Sequence, residues 1–469
     1  SCGGPLPALL QFCPTLTQRA PMNNSLQADR IPELSAVVAA ALEAARRQGA
    51  TQAEASVGMQ QGLTATVRLG QVDTIEYHRD RGLAVTVYMG HRKGSASTAD
   101  MRPEAVVETV TKACSIARYT AEDPCAGLAD PARLAREFPD LDIDHPWHIE
   151  PDRAVELARE CEAAGRAVDR RISNSEGASL SSHRALRVYG NTLGFLAGFP
   201  STSHSISCAL IAEGDGQMQR DDWHTVARCA DDLESPTAVG RRAAERTVAR
   251  LGARRLDTRR LPVLFVPEIA RGLYGHFLGA IRGASQYRHS SFLLGAAGQQ
   301  VFPEFMHMSE RPHLPRALAS APFDLEGVAT RDRELIRAGV LDGYICGSYS
   351  ARRLGIATTG NAGGIHNLLV RAPDVERSFP QLLQQLGTGL LVTELMGQGV
   401  NPVTGDYSRG ASGFYVERGA IAFPVHEVTI AGNLRDMYRR IIAVGNDVDI
   451  QGSVRCGSVL IDDMTIAGT

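Results

Sequence analysis

Residues 386–434, LGTGLLVTELMGQGVNPVTGDYSRGASGFYVERGAIAFPVHEVTIAGNL, constrain the fold more than any other part of the chain. Segments 388–395, 414–416 and 420–425 mix β-branched and large apolar residues, and 425–430 is another strand candidate. Glu417-Arg418-Gly419 is a hairpin turn signal. The spacing therefore predicts several β-strands joined by tight turns. Between them, 401–413 reads as a polar loop dense in glycine, where another backbone can come close. On that loop Asp406, Tyr407, Ser408, Arg409 and Ser412 combine a carboxylate, a phenol, a guanidinium and two hydroxyls. Two readings stand open: an ordinary sheet with polar loops, or a surface that takes an extended peptide by strand addition.

The rest of the chain predicts an α+β fold of two domains. Residues 31–49 recur apolar at Leu34, Val37, Val38, Ala41, Leu42 and Ala45, a helix closed by Arg46, Arg47 and Gly49. Strand patterns follow at 64–69 and 83–88, with 71–77 between them, and 103–117 is a second helix. Residues 138–150 resemble a linker, and 151–166 is a helix with proline at its start. Strands are expected at 181–188, 193–198 and 205–211, a helix at 237–251, a buried strand at 261–266 and a helix at 268–281. Gly272, Gly275 and Gly279 leave that last helix thin, so a close neighbour is expected there. Residues 332–338 read as helical and 344–348 as strand-like, and Leu382, Leu383 and Leu386 end another helix. The domain reading is an N-terminal α+β domain over 28–225 and a larger β-rich domain with packed helices over 226–469. Residues 1–27 are read as a disordered upstream extension. Within them 1–21 lack the positive segment of a secretory signal, and Met22 resembles a start.

Composition excludes some function classes. The formal net charge is −3, which argues against a broad nucleic-acid face. The nine cysteines are scattered, odd in number and never spaced CxxC, so reduced thiols of a cytoplasmic protein are expected rather than a disulfide framework. No run reaches the roughly 18 apolar residues that a membrane helix needs.

Catalytic motifs are mostly missing. His426-Glu427 has no second histidine one turn on, so HExxH is absent. Neither GxSxG nor GxxxxGK[ST] occurs, which disfavours a serine hydrolase or a nucleotide-driven enzyme. Among the histidines, His276, His289 and His366 are candidates to converge on a metal, but no carboxylate or thiolate is placed beside them. His366 and Asn367 end the glycine loop GNAGGIHN, which could touch a substrate or line an interface.

TGLLVTELMGQGVN, TGDYSRGASGF, TIAGNL and CGSVLIDDMTIAG resemble the TldD/PmbA family, in particular its PmbA (TldE) branch, and the resemblance extends over roughly residues 28–469. It implies one subunit of a bacterial two-subunit metallopeptidase that cleaves small or unfolded polypeptides, partnered by a TldD-like chain. In the TldD branch the junction at 267–272 resembles HExxxH, with two zinc-ligand histidines and a glutamate base. Here Pro267 and Gly272 stand at the histidine positions and only Glu268 remains. Cys456 sits too near the terminus to match that branch's distal cysteine ligand. The resemblance thus implies no metal or catalytic residue in this chain and zinc in the TldD-like partner. Asp406, Ser408, Arg409, Ser412, His366 and Asn367 become candidates for binding peptide, and a homodimer is expected when the partner is missing. Other members are described as modulating DNA gyrase, which would suit a regulatory binder. An independent hydrolase with an unrecognised metal site is the other alternative.

Overall fold

A computed structural model describes residues 30–214 and 216–468; the expectation for 1–27 lies outside them. The first part of the chain runs α1 (Ile31–Arg47), β1 (Gln52–Arg68), β2 (Gln71–Met89), β3 (Arg92–Thr98), α2 (Pro103–Tyr119), α3 (Pro151–Arg166), β4 (Ile172–Asn191), β5 (Leu196–Gly214), β6 (Gln217–Ala227) and α4 (Pro236–Ala249). Each of the four helices carries proline in its first turn, where a missing N–H costs nothing and the fixed φ suits the helix. The strands form one antiparallel sheet in the order β3-β2-β1-β4-β5-β6.

Alternation along β1 buries Ala53, Ala55, Val57, Ala65 and Val67 against helices on one face. α1 and α2 cover one end of the sheet and α3 and α4 the other, giving two separate apolar cores on the same long strands. α3 and α4 cross closely because Gly240 has no side chain: a Cβ there would stand 1.9 Å from the Cys161 carbonyl oxygen. The β1–β2 turn is held from α3. The amides of Leu69 and Gly70 donate to the buried Glu162 carboxylate, each at 2.7 Å. Those bonds hold Leu69 at φ 51°, in the left-handed region.

The second part runs β7 (Arg259–Phe265), α5 (Pro267–Ala280), α6 (Gly283–Tyr287), β8 (His307–Glu310), β9 (Arg333–Arg337), β10 (Val340–Leu341), α7 (Ser348–Leu354), β11 (Leu368–Arg371), β12 (Glu376–Arg377), α8 (Phe379–Leu386), β13 (Gly389–Met396), β14 (Asp406–Glu417), β15 (Ala420–Asn433), α9 (Leu434–Arg439), β16 (Ile441–Gly445), β17 (Val454–Arg455) and β18 (Val459–Ala467). Seven strands make a mixed sheet ordered β12-β16-β18-β15-β14-β13-β7, and β18 also pairs with β7, closing five of the strands into a ring. β7 is buried on both faces, as its apolar run requires: Val263 and Phe265 pack in the main core with α5, and Leu264 under α8. A smaller sheet, β10-β9-β8-β11-β17, lies beside it.

Four expectations are corrected here. Residues 332–338 contain the strand β9, not a helix; its Leu335 and Ile336 are both buried, and pairing with β8 overrides the local helix signal. Residues 344–348 form no regular strand: Ile345 makes a single bridge with Arg282, and Ser348 opens α7. Residues 420–430 are one strand, bent at Glu427 with φ 52°. The loop expected over 401–413 ends at residue 405, and 406–413 belong to β14, where a Cβ on Gly413 would meet the Leu391 carbonyl at 1.9 Å. The turn at Arg418-Gly419 stands as expected, with φ 53° and 76°.

The two parts meet through an ordered connector and an aromatic cluster. Arg352 donates to the carbonyls of Cys125, Leu128 and Gly127 at 2.7, 2.9 and 2.6 Å. Phe195 and Phe323 pack edge to face with Phe138 and Phe199 around them.

Candidate functional site

The β7–α5 junction is built by strand pairing from both ends of the second part. β18 pairs antiparallel to β7, with Val459 opposite Phe265, which brings Cys456 onto the start of α5. The Cys456 sulfur lies 3.8 Å from the Pro267 carbonyl oxygen. Cys456 is therefore beside the junction despite a separation of 189 residues, and the expectation that it sits too near the terminus is corrected. Burial pushes its thiol well above the ordinary cysteine value, with Asp449 adding to the rise.

Glu268 accepts from Arg246 at 3.1 Å. Arg246 and Arg250 also reach the Asp221 carboxylate, and Arg250 pairs with Glu394 on β13. Arg271 bonds Asp449 at 3.2 Å. The carboxylates around the junction are thus held by arginines.

A zinc ion does not fit this donor set. Pro267 and Gly272 offer no ligating side chain, Glu268 is held by a guanidinium, and Cys456 is a buried thiol held towards its neutral form. Among the described residues no three His, Cys, Asp or Glu side chains gather closely enough to hold a metal ion.

One face of α5 is open. Gly272, Gly275 and Gly279 lie a helical turn apart, and a Cβ on any of them would meet no atom within 4 Å. Among the described residues, nothing supplies the close neighbour expected at these glycines. Beside them stands His276, its ring 6.2 Å from that of Tyr407. Burial, and then the charge of Arg409, hold His276 below the usual imidazole value. The Tyr407 hydroxyl is buried without a hydrogen-bond partner among the described residues, and burial pushes it up to about 12.

β13 borders the same space. It pairs with β7 only as far as Val392; beyond that, among the described residues, Glu394 to Met396 pair with β14 on one side alone. This free edge begins at the first turn of α5, where the Val266 amide donates to the Val392 carbonyl at 3.2 Å.

The structure separates the residues singled out from the sequence. Alternation along β14 puts Arg409 on the side of Tyr407 and His276, facing the open helix. Asp406 and Ser408 are exposed on the other side, and Asp406 accepts from Thr404 at 2.6 Å and Asn433 at 3.2 Å. Ser412 is buried opposite Glu394. His366 and Asn367 lie elsewhere, at the start of β11. The His366 Nδ1 stands 3.1 Å from the buried Glu310 carboxylate, which also accepts from Asn361 at 2.7 Å and Arg333 at 2.9 Å. Burial alone would raise the Glu310 carboxyl, but these donors hold it below the ordinary value. Asn367 is fully buried, with its amide bonded to Arg311, Ser320 and Ala319.

Sequence reasoning missed Arg246, Asp449 and the placement of Cys456. A 22-residue separation joins Arg246 to Glu268, and only the pairing of β18 with β7 brings the terminal residues in. No local pattern marks either contact.

Comparison with known proteins fits this architecture. Descriptions of the PmbA/TldA metallopeptidase match in three segments: domain 1 over residues 53–117, the central domain over 144–251 and the C-terminal domain over 258–468. The chain is 49% identical to the metalloprotease PmbA of Escherichia coli O157:H7, covering 93% of this chain and 96% of that one. It is 47% identical to a PmbA homologue of Haemophilus influenzae over the same shares. The crystal structure of a Bacteroides thetaiotaomicron protein, described as a candidate modulator of DNA gyrase, superposes with a TM-score of 0.88 at 25% identity, covering 93% of this chain and 99% of that one. TldE of Thermococcus kodakarensis shares the fold, with a TM-score of 0.81 at 20% identity over 92% and 100% of the two chains. The chain belongs to the PmbA/TldD metallopeptidase family, on its PmbA branch.

Proposed function

We propose that this chain is the subunit of a heteromeric peptidase that contributes no zinc, and that a TldD-like partner supplies the metal. The observation carrying this is the β7–α5 junction, where Pro267 and Gly272 flank a glutamate already held by Arg246. The open glycine face of α5 is the place where the partner or its peptide comes close to this chain. The free edge of β13 beyond Val392 offers backbone N–H and C=O groups to an extended polypeptide, so a small or unfolded peptide is held as an added strand. Arg409 would then bind a carboxylate or carbonyl of that peptide, and the neutral His276 would hydrogen-bond it. Asp406 and Ser408, exposed on the opposite side of β14, serve a second contact surface in the assembly. Such contacts position a substrate; no bond-breaking step is assigned to this chain. Without its partner the chain pairs with a second copy, and the complex works in the cytoplasm. No helix among the described residues is long and apolar enough to cross a membrane.

The test is co-expression with a TldD-like chain, followed by peptide cleavage assays on each chain and on the mixture. Cleavage by the mixture and none by this chain alone is expected. Cleavage by this chain alone would favour an independent hydrolase, and no cleavage by the mixture would favour a non-enzymatic binder.

A further inference from the structure

A second opening lies between the two parts of the molecule, with Arg282, just after α5, on its wall. It is a cleft of about 650 Å³, within the size range of small-ligand pockets. Strands β1, β2 and β4 form one wall, with Glu54 and Arg187 on it. The opposite wall is built from α6, the start of α7 and the glycine loop, with Arg282, Glu326 and Tyr287 on it. The loop is fixed from behind: the Glu310 carboxylate holds Asn361 and His366, and Asp324 accepts from the Ala362 amide at 2.9 Å.

Among the described residues, none of the four charged side chains on the cleft walls is in an ion pair. Arg282 makes no side-chain hydrogen bond or ion pair among the described residues. Arg187 has only a long bond of 3.4 Å to the Leu325 carbonyl, and burial holds its guanidinium below its ordinary value. On the same wall as Arg187, Glu54 accepts from the phenols of Tyr189 at 2.8 Å and Tyr88 at 3.3 Å, with no ion pair to a cation among the described residues, and burial raises its carboxyl above the ordinary value. Glu326 accepts from the Ser348 amide at 2.8 Å. No ion pair joins either arginine to either glutamate. Partly desolvated charges of both signs, kept apart, cost free energy that a ligand carrying both signs would offset.

We infer that this cleft is a separate binding site for a short zwitterionic peptide. The free carboxylate sits on Arg187 and Arg282, and the free ammonium on Glu54 and Glu326. The two carboxylates set the cleft against polyanions such as nucleoside triphosphates, which the arginines alone would welcome. The edge-to-face pair of Tyr287 and Tyr349, with centroids 5.9 Å apart, gives the peptide an apolar flank.

Isothermal titration of the full chain alone, with no peptidase partner, tests this apart from the proposed function. The probes are tetra-alanine, its C-terminal amide, its N-acetyl form and ATP. Tetra-alanine is expected to bind, and either blocked form to bind at least about tenfold more weakly, since each loses a charge-assisted bond. Arg282→Ala, at a side chain without partners, is expected to leave the melting temperature unchanged. It should weaken free tetra-alanine about tenfold and narrow the difference between the free and amidated peptides, leaving what Arg187 contributes. Arg282→Lys should restore part of that difference. Absence of tetra-alanine binding at millimolar concentration, equal affinity for free and blocked peptides, or tighter binding of ATP would each overturn the inference.

Discussion

In the proposed reading Arg409 binds peptide, whereas Asp324 supports the fold. Arg409 stands on the face of β14 that looks toward His276 and the open side of α5. Arg409→Ala is expected to weaken peptide binding to the assembled complex by roughly ten- to a hundredfold, the loss of one charged hydrogen bond. The single-turnover rate at saturating peptide should stay close to wild type. A collapse of that rate with affinity and assembly intact would place Arg409 in the chemistry. Asp324 supports the glycine loop, and its carboxyl is raised from 3.8 to about 6, chiefly by burial. A folded-state value above the unfolded one means that the folded chain binds the extra proton between about pH 4 and 6. Stability from this group is therefore present below pH 4 and lost as pH rises through 6. Relative to wild type, Asp324→Asn should gain up to roughly 3 kcal/mol between pH 4 and pH 7. Denaturation midpoints at the two pH values measure this, and a gap that does not change with pH would refute it. At this scale the sequence was informative about residue type and poor about partners. TGDYSRGASGF marked Arg409, but nothing local says that Asn367 and Ser412 are buried, or that His366 is engaged by a glutamate 56 residues away.

Elements were more legible, because periodicity and proline report local geometry directly. Helix α3 was expected at residues 151–166 and forms there, opened by Pro151. The Glu417-Arg418-Gly419 turn was readable because it needs two positive φ angles in succession. β14 was misread as loop over 406–413 because glycine, the residue that hides a strand pattern, is needed at Gly413, where Leu391 comes close. The glycines of α5 posed the opposite problem. Small residues on a helix signal a close neighbour, but the sequence cannot say whether that neighbour lies in the same chain. A pair of substitutions separates the two situations. Gly240→Ala, at the tight α3–α4 crossing, should destabilise the isolated chain by about 1–3 kcal/mol. Gly275→Leu, facing open space, should leave the melting temperature of the isolated chain nearly unchanged and impair assembly or peptide cleavage with the TldD-like partner. Thermal denaturation and size-exclusion chromatography of the mixture read both effects. Normal assembly and cleavage with Gly275→Leu would remove the role given to this face.

At the scale of the whole molecule, one fold carries a junction that cannot ligate zinc, an open helix face and a free strand edge. The proposed role as a non-metal subunit asks for these features together: surfaces that would complete a neighbour's site without reacting. The mixed α+β character was legible from the alternation of helix and strand patterns. The ring closed by β18 and β7 was not, since it joins segments about 200 residues apart and rests on pairing rather than on local pattern. The same pairing sets Cys456 beside Pro267 and leaves the thiol buried and protonated. The most direct test is zinc content measured separately for this chain, for a TldD-like chain, and for their purified complex. The account predicts no stoichiometric zinc in this chain at neutral pH, one zinc per TldD-like chain, and no extra zinc in the complex. One tightly bound zinc per copy of this chain, purified alone, would contradict it.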